Sequence, residues 1–209
     1  MIIEGLDITW LGHACFKVKA GKTIYFDPFQ LKSDEPADFI LITHDHYDHC
    51  SLADIKKVAT PKTIIFATPD CQSKLSSLNV RNVTLLEPGK KVAVDGLTIE
   101  AVPAYNTNKR FHPKENGWLG YILTVGGKRI YHAGDTDLIP EMQRIKADIA
   151  LLPVSGTYVM TAEEAAKAAD IIKPKVAIPM HCGSIVGTLG DAERFKSLAK
   201  ANVMVMTPP

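Results

Sequence analysis

The stretch Leu41-Ile42-Thr43-His44-Asp45-His46-Tyr47-Asp48-His49-Cys50-Ser51 places three histidines and two aspartates in six consecutive residues, directly after an apolar run. Imidazoles and carboxylates are natural ligands for zinc and similar first-row ions. His44 and His46, two apart in an extended segment, can point the same way. Asp48 and His49 fall where a strand gives way to a helix opened by Ser51, and so can face a second ion. The bland alternative is a set of surface polar residues at a strand end. The density of ligating groups argues against it, because such groups together repel protons and invite a cation.

Working outward, the first third of the chain alternates short β-rich runs with turns, at 7–11, 15–19, 23–26 and 39–43. Ser51 opens a capped helix over 52–58, and Thr68-Pro69 reads as the start of a second helix. Further strands are expected at 64–67, 83–86, 91–94, 97–102, 119–125, 129–131, 149–152 and 176–179. Thr161 and Glu164 cap an Ala-rich helix through Ile172, and Asp191 is expected to cap a last helix to Lys200. The segment 103–117 has no period and reads as a long loop, a kind that is more often functional than accidental. Strands meander first and later alternate with helices, so the expected class is α/β (α+β mixed), with helices on the outer faces of mixed sheets.

Several apolar strands end directly in a chemically capable residue: Asp27 after Phe26, His44 after Thr43, His132 after Tyr131 with Asp135 beyond it, and His181 after Met180. Ligands in α/β sheets gather outside the carboxyl ends of strands. Residues distant in sequence are therefore expected to share one cleft.

The chain has 209 residues and no visible linker, which points to a single domain over 1–209. With 24 basic and 23 acidic residues the net charge is +1, so no whole-molecule field attracts nucleic acid. Neither a secretory pattern nor a membrane-length apolar run is present, and a cytoplasmic location is expected. Cys15, Cys50, Cys71 and Cys182 form no C-x-x-C pair and read as reduced, small buried residues.

His-x-His-x-Asp-His after an apolar strand, a distant Gly134-Asp135-Thr136 and the strand-end His181 resemble the metallo-β-lactamase superfamily over essentially the whole chain. Trp10-Leu11-Gly12-His13-Ala14, Asp27-Pro28, His132 through Thr136 and Pro179 through Gly183 narrow the resemblance to one branch. That branch is similar to ascorbate-6-phosphate lactonase and N-acyl-phosphatidylethanolamine phospholipase D. The resemblance implies the αβ/βα four-layer sandwich and a metal-dependent hydrolase with two divalent ions, zinc first, manganese or iron next. It implies His44 and His46 as ligands of the first metal, Asp48, His49 and His181 as ligands of the second, and Asp135 as the bridge. Asp48 is also the expected catalytic group, orienting a metal-bound hydroxide against a lactone, carboxylic ester or phosphoester. Asp27, Asp45 and His132 are expected to steer ligands by hydrogen bonds. His13 lies either at the rim of the site or in the core.

One position departs from the pattern. Asn106 stands in Pro103-Ala104-Tyr105-Asn106 where the family supplies a third histidine to the first metal. Three readings stay open: His112 swings in as the replacement, Asn106 or Tyr105 ligates weakly, or the first site is incomplete. The same loop carries Lys109, Arg110 and Lys114 beside Tyr105, Phe111 and Trp118. Tyr105, Asn106, Lys109 and Arg110 are candidate substrate-binding residues for a small anionic substrate, with a solvated charge cluster as the alternative. The expected partner is a small molecule rather than a membrane or nucleic acid, and homo-oligomers stay open. The rival functions are a metal-dependent nuclease or phosphodiesterase and a non-catalytic metal-stabilised binding protein. The branch bearing a redox di-iron centre is disfavoured by His46, which stands where such relatives tend to carry an acid.

Overall fold

Strands that are apolar at every position must be covered on both faces, and the computed structural model, which describes residues 1–32 and 35–209, meets that demand with two sheets laid face to face. The first sheet runs in sequence order: β1 (Ile2–Ile3), β2 (Leu6–Gly12), β3 (Cys15–Lys19), β4 (Thr23–Phe26), β5 (Phe39–Leu41), β6 (Ile64–Ala67) and β7 (Asn82–Leu85). The second has the order β13-β12-β11-β10-β9-β8, built from β8 (Lys91–Val94), β9 (Leu97–Pro103), β10 (Leu119–Val125), β11 (Lys128–His132), β12 (Ile149–Pro153) and β13 (Val176–Met180). Both are mixed: β4 through β7 are parallel, as are β11 through β13, and the remaining pairs are antiparallel.

The two-residue period of each strand sorts its side chains between layers. Ile24, Phe26, Phe39, Leu41, Ile64 and Phe66 belong to the large core shared with the second sheet. Their neighbours Tyr25, Ile40, Ile65 and Ala67 form a second cluster with Ile55 and Val58 of α1 (Leu52–Val58) and Leu75 of α2 (Gln72–Leu75). On the far side, the alanine face of α3 (Ala162–Ile172) and Phe195 of α4 (Leu189–Leu198) join the large core. Helix, sheet, sheet and helix are thus stacked as the sequence led one to expect.

Three local expectations are corrected. The strand expected over 39–43 stops at Leu41, because the Thr43 backbone N–H donates to the Asp27 side chain instead of continuing a ladder. The helix after Thr68-Pro69 is only a 3₁₀ turn, Pro69–Cys71, followed by the single turn α2. There the Ser76 hydroxyl donates to the Ser73 carbonyl, a local bond that competes with helix extension. The last helix is capped by Thr188, and Asp191 reaches back to the Thr188 N–H from the third helical position. Among the described residues no helix is long and apolar enough to cross a membrane. All four cysteines are free and buried.

Candidate metal centre

Parallel strands present their carboxyl ends on one edge, and that edge gathers Asp27 after β4, His44 shortly after β5, Asp135 after β11 and His181 after β13. Gly134 makes the turn that delivers Asp135. Its φ is +66°, and a Cβ there would lie 2.4 Å from the Leu119 carbonyl oxygen, so only glycine fits.

Six of the chain's seven histidines converge with Asp48 and Asp135 into three overlapping groups: His44/His46/His112, His13/Asp48/His49/His181 and His44/His49/Asp135. Within each group the potential ligand atoms lie within 4.8 Å of one another. Asp135 sits between the first two groups. Its Oδ2 is 3.2 Å from His112 Nε2 and 3.1 Å from His181 Nε2, and its Oδ1 is 3.4 Å from His49 Nε2. No cysteine joins these groups among the described residues.

The hydrogen bonds behind the imidazoles decide which nitrogen each one offers. The Thr43 hydroxyl donates to Asp27 Oδ2 and accepts from His44 Nδ1, while Asp27 Oδ2 also accepts from His49 Nδ1. Ser155 Oγ holds His181 Nδ1. Each of these histidines therefore turns Nε2 inward. His46 differs, since its Nδ1 lies 3.0 Å from His44 Nε2. Two ligands of one tetrahedral zinc ion are separated by roughly 3.3 Å when each Zn–N bond is about 2.05 Å, so the pair is already spaced to share an ion.

The fit to a cation rests on a further observation. His49 Nε2, His112 Nε2, His181 Nε2 and Asp135 Oδ1 are buried without a hydrogen-bond partner, as is His13 Nδ1. The Asp135 contacts above have the distance of ion pairs without the alignment of hydrogen bonds. Buried polar atoms are rarely left so, and orphans that face one another on ligating side chains match a metal centre.

His112 is buried and takes its place through the residue that departs from the family pattern. Asn106 Oδ1 accepts from the His112 backbone N–H and from its Nδ1, the Tyr158 carbonyl lies 3.2 Å from the same Nδ1, and Nε2 is left facing Asp135. Asn106 Nδ2 is itself spent on Asp137 and the Tyr158 carbonyl. Asn106 therefore orients a histidine rather than reaching the centre. Asn106→Ala is expected to weaken metal binding at the His44/His46/His112 group by about 10–100-fold, with the other group little changed. Competitive titration against a coloured chelator resolves the two affinities, and an unaltered profile would refute this role for Asn106.

The remaining candidates divide. Asp27 orients His49 directly and His44 by way of the Thr43 hydroxyl. His132 does not: its Nε2 donates to the Ala14 carbonyl, its Nδ1 accepts from the Gly134 N–H, and its ring stacks on Phe26. It ties together the two backbone turns that carry His13 and Asp135. Asp45 pairs with Lys74 and touches no ligating side chain in the described contacts. His13 is buried at the centre, donating from Nε2 to Asp48 Oδ2 at 2.9 Å with its ring 4.0 Å from that of His181. Its left-handed backbone lets its carbonyl accept from both the Trp10 indole and the His181 N–H.

The basic loop residues are not brought to the centre. Lys109 is paired with the fully buried Asp137 and Lys114 with Glu141, while Tyr105 donates to Glu141. Tyr105, Lys109, Arg110 and Lys114 line a separate surface depression. Removing one partner of a buried ion pair costs about 3–5 kcal/mol, so Lys109 is held by the fold and is not free for a substrate. Sequence reasoning missed Thr43, Ser155 and the role of Trp118. The Trp118 indole lies against His44, His46 and His112 with ring centroids 4.8, 4.7 and 5.4 Å apart, and donates to Asp70. A hydroxyl just before His44 was the one available signal for Thr43.

The electrostatics suit cation binding. Burial pushes the His44 and His46 imidazoles below their ordinary pKa, so both are neutral and ready to ligate. Burial works against charge on His49 too, but Asp135 and Asp27 overcome it and hold that imidazole well above its ordinary range. Burial alone would raise the Asp135 carboxyl, yet His181 and His49 keep it well below the usual carboxylate range. A cation must therefore displace a proton from His49. Metal loading near neutral pH is expected to release that proton, and apparent affinity is expected to fall as pH falls toward the ordinary histidine range. Calorimetric titration in two buffers of different ionisation heat measures the release, and identical heats in both would refute it.

Fold and site together define a metal-dependent hydrolase of the metallo-β-lactamase type, and residues 7–181 match the family model described as Beta-lactamase superfamily domain. The UPF0173 metal-dependent hydrolase of Thermoplasma acidophilum is 34% identical over 94% of this chain and 92% of its own length. That of Thermococcus onnurineus is 35% identical over 97% of each. A crystal structure from Parabacteroides distasonis is 37% identical and superposes with a TM-score of 0.85 over 96% of this chain and 92% of that one. The chain belongs to the UPF0173 metal-dependent hydrolase family of this superfamily.

Proposed function

We propose that this chain hydrolyses a carboxylic ester, lactone or phosphoester with two divalent ions, zinc in the first instance. His44, His46 and His112 would hold one, Asp48, His49 and His181 the other, and Asp135 would bridge them. Such a pair supplies an activated water near neutral pH and polarises the oxygen of the scissile group.

The observation that carries this reading is the convergence of buried, orphaned ligating atoms on one centre that opens into a cleft. The chain's own residues supply the rest. Asp48 lines the cleft and is kept ionised by the His13 hydrogen bond, against the opposing pull of burial, so it can orient a water and take up its proton. Thr43, Asp27, Asn106 and Ser155 fix the imidazoles, so little reorganisation is needed when charge develops. The motifs around Trp10–Ala14 and Pro179–Gly183 support a place beside ascorbate-6-phosphate lactonase, hence lactones in the substrate set. A nuclease reading gains no support from Lys109 and Lys114, which are neutralised within the fold. The placement of His112 beside His44 and His46 supports it as the donor that Asn106 lacks and so favours an enzyme over a non-catalytic binder.

The test is a panel of neutral esters, lactones and phosphoesters offered to metal-loaded protein, to chelated protein and to protein reloaded with zinc. Hydrolysis lost on chelation and restored by reloading is the expected result. Inactivity of fully loaded protein across the panel would contradict it.

A further inference from the structure

Beyond the ligating side chains, the cleft over the centre has a volume of about 300 Å³, and its other walls are Tyr47, Phe111, Tyr158, Ile185 and Val186. Tyr47, Phe111 and Ile185 are 67%, 51% and 37% exposed, an unusual concentration of large apolar side chains on loops. They are not there for the core. The Phe111 and Tyr158 rings meet edge to face at 4.6 Å, and Tyr47 is backed by Phe29 at 6.0 Å, so the walls are braced rather than loose. The third wall lies close because Gly187, at φ +65°, rests on Ser155: a Cβ there would come within 2.6 Å of the Ser155 Cβ.

Charge in the cleft runs the other way from the sequence expectation. Its imidazole and carboxylate lining is His46, Asp48, His112, Asp135 and His181, all of them in the metal groups, and no lysine or arginine lines it among the described residues. A second anionic group on a substrate would find aromatic faces and two carboxylates, with no cation besides the ions themselves. A hydrocarbon or aryl group would find a preformed apolar wall beside the reacting centre.

We infer that the cleft selects a neutral substrate whose acyl or aryl portion is apolar and lies between Phe111–Tyr158 on one side and Tyr47 and Ile185 on the other. For its chemistry the inference rests on the hydrolytic reading above, but the binding preference can be measured without turnover. The probes are alkanoyl hydroxamic acids from acetyl to octanoyl, whose head group chelates the metal-loaded centre, with the succinyl compound as the anionic counterpart.

Affinity by calorimetry is expected to rise about fourfold per methylene until the walls are covered. Succinyl is expected to bind more weakly than butyryl at low and at high salt. Phe111→Lys should flatten the chain-length series and narrow the gap between butyryl and succinyl. A series already flat in the natural sequence, or a preference for succinyl, would overturn the inference. Turnover of the matching p-nitrophenyl esters separates the two claims. Chain-length-dependent binding with no turnover would sink the hydrolytic reading and leave the assignment of the cleft, whereas turnover that favours anionic or phosphorylated esters would sink the assignment alone.

Discussion

Asp48→Asn is expected to lower kcat/KM for the best ester by on the order of 10²–10⁴-fold, the range for loss of a positioned proton acceptor. The substitution keeps the shape of the side chain, and its amide oxygen still accepts from His13 Nε2, which donates to Asp48 Oδ2 at 2.9 Å. What it removes is the negative charge that takes the proton and that would help hold the second ion, two effects that the metal content of the variant separates. The loss should therefore fall on kcat, with KM little altered and the metal at His44, His46 and His112 retained. His13→Ala, which releases Asp48 from its hydrogen bond and removes a buried ring from beside His181, leaves the carboxylate in place and should cost less, about 10–100-fold. Steady-state kinetics with metal content measured on the same samples check both. Near-normal turnover by Asp48→Asn would remove Asp48 from the proposed chemistry.

His112→Ala is expected to reduce the tightly bound metal from two equivalents to one and to remove most of the hydrolytic activity. His44, His46 and the shared Asp135 oxygen would leave that ion one protein donor short of its proposed set, with only two nitrogens to hold it. The change also removes the ring's bond to Asn106 Oδ1, which keeps the backbone N–H of residue 112 as a donor, and takes one contact from Asp135. Elemental analysis after dialysis gives the stoichiometry. Two retained equivalents would mean that the first ion is held without His112.

Much of the site was legible in the sequence because it is written locally. His44 through His49 form one continuous run, and Asp27, Asp135 and His181 each follow an apolar strand, so a rule about strand ends places them together. The competition at Asn106 was not decidable there. Whether His112 reaches the centre depends on how the loop closes. Closure is set by the buried Asp137, which accepts from Asn106 Nδ2, the Thr107 N–H and Lys109 Nζ across about thirty residues of chain. Nothing in the loop's own composition announces that anchor.

The basic residues illustrate the converse. Lys109, Arg110 and Lys114 beside Tyr105 look like an anion site when read along the chain. In the fold Lys109 and Lys114 answer Asp137 and Glu141, and the cleft is walled instead by Phe111 from the same loop with Tyr47, Tyr158 and Ile185 from three others. Thr43 and Ser155 were hidden for a related reason. A hydroxyl that accepts from an imidazole is indistinguishable in sequence from any other strand-end serine or threonine.

The central claim is a two-ion centre whose first ion is completed by His112, with Asn106 behind it. Anomalous diffraction from zinc-loaded crystals, recorded on both sides of the zinc edge, tests this most directly. Two peaks are predicted, one within bonding distance, about 2.0–2.1 Å, of His44 Nε2, His46 Nδ1 and His112 Nε2, the other among Asp48, His49 and His181, with Asp135 between them. A single peak in fully loaded crystals, or a first ion bound by Asn106 with His112 turned away, would contradict the account.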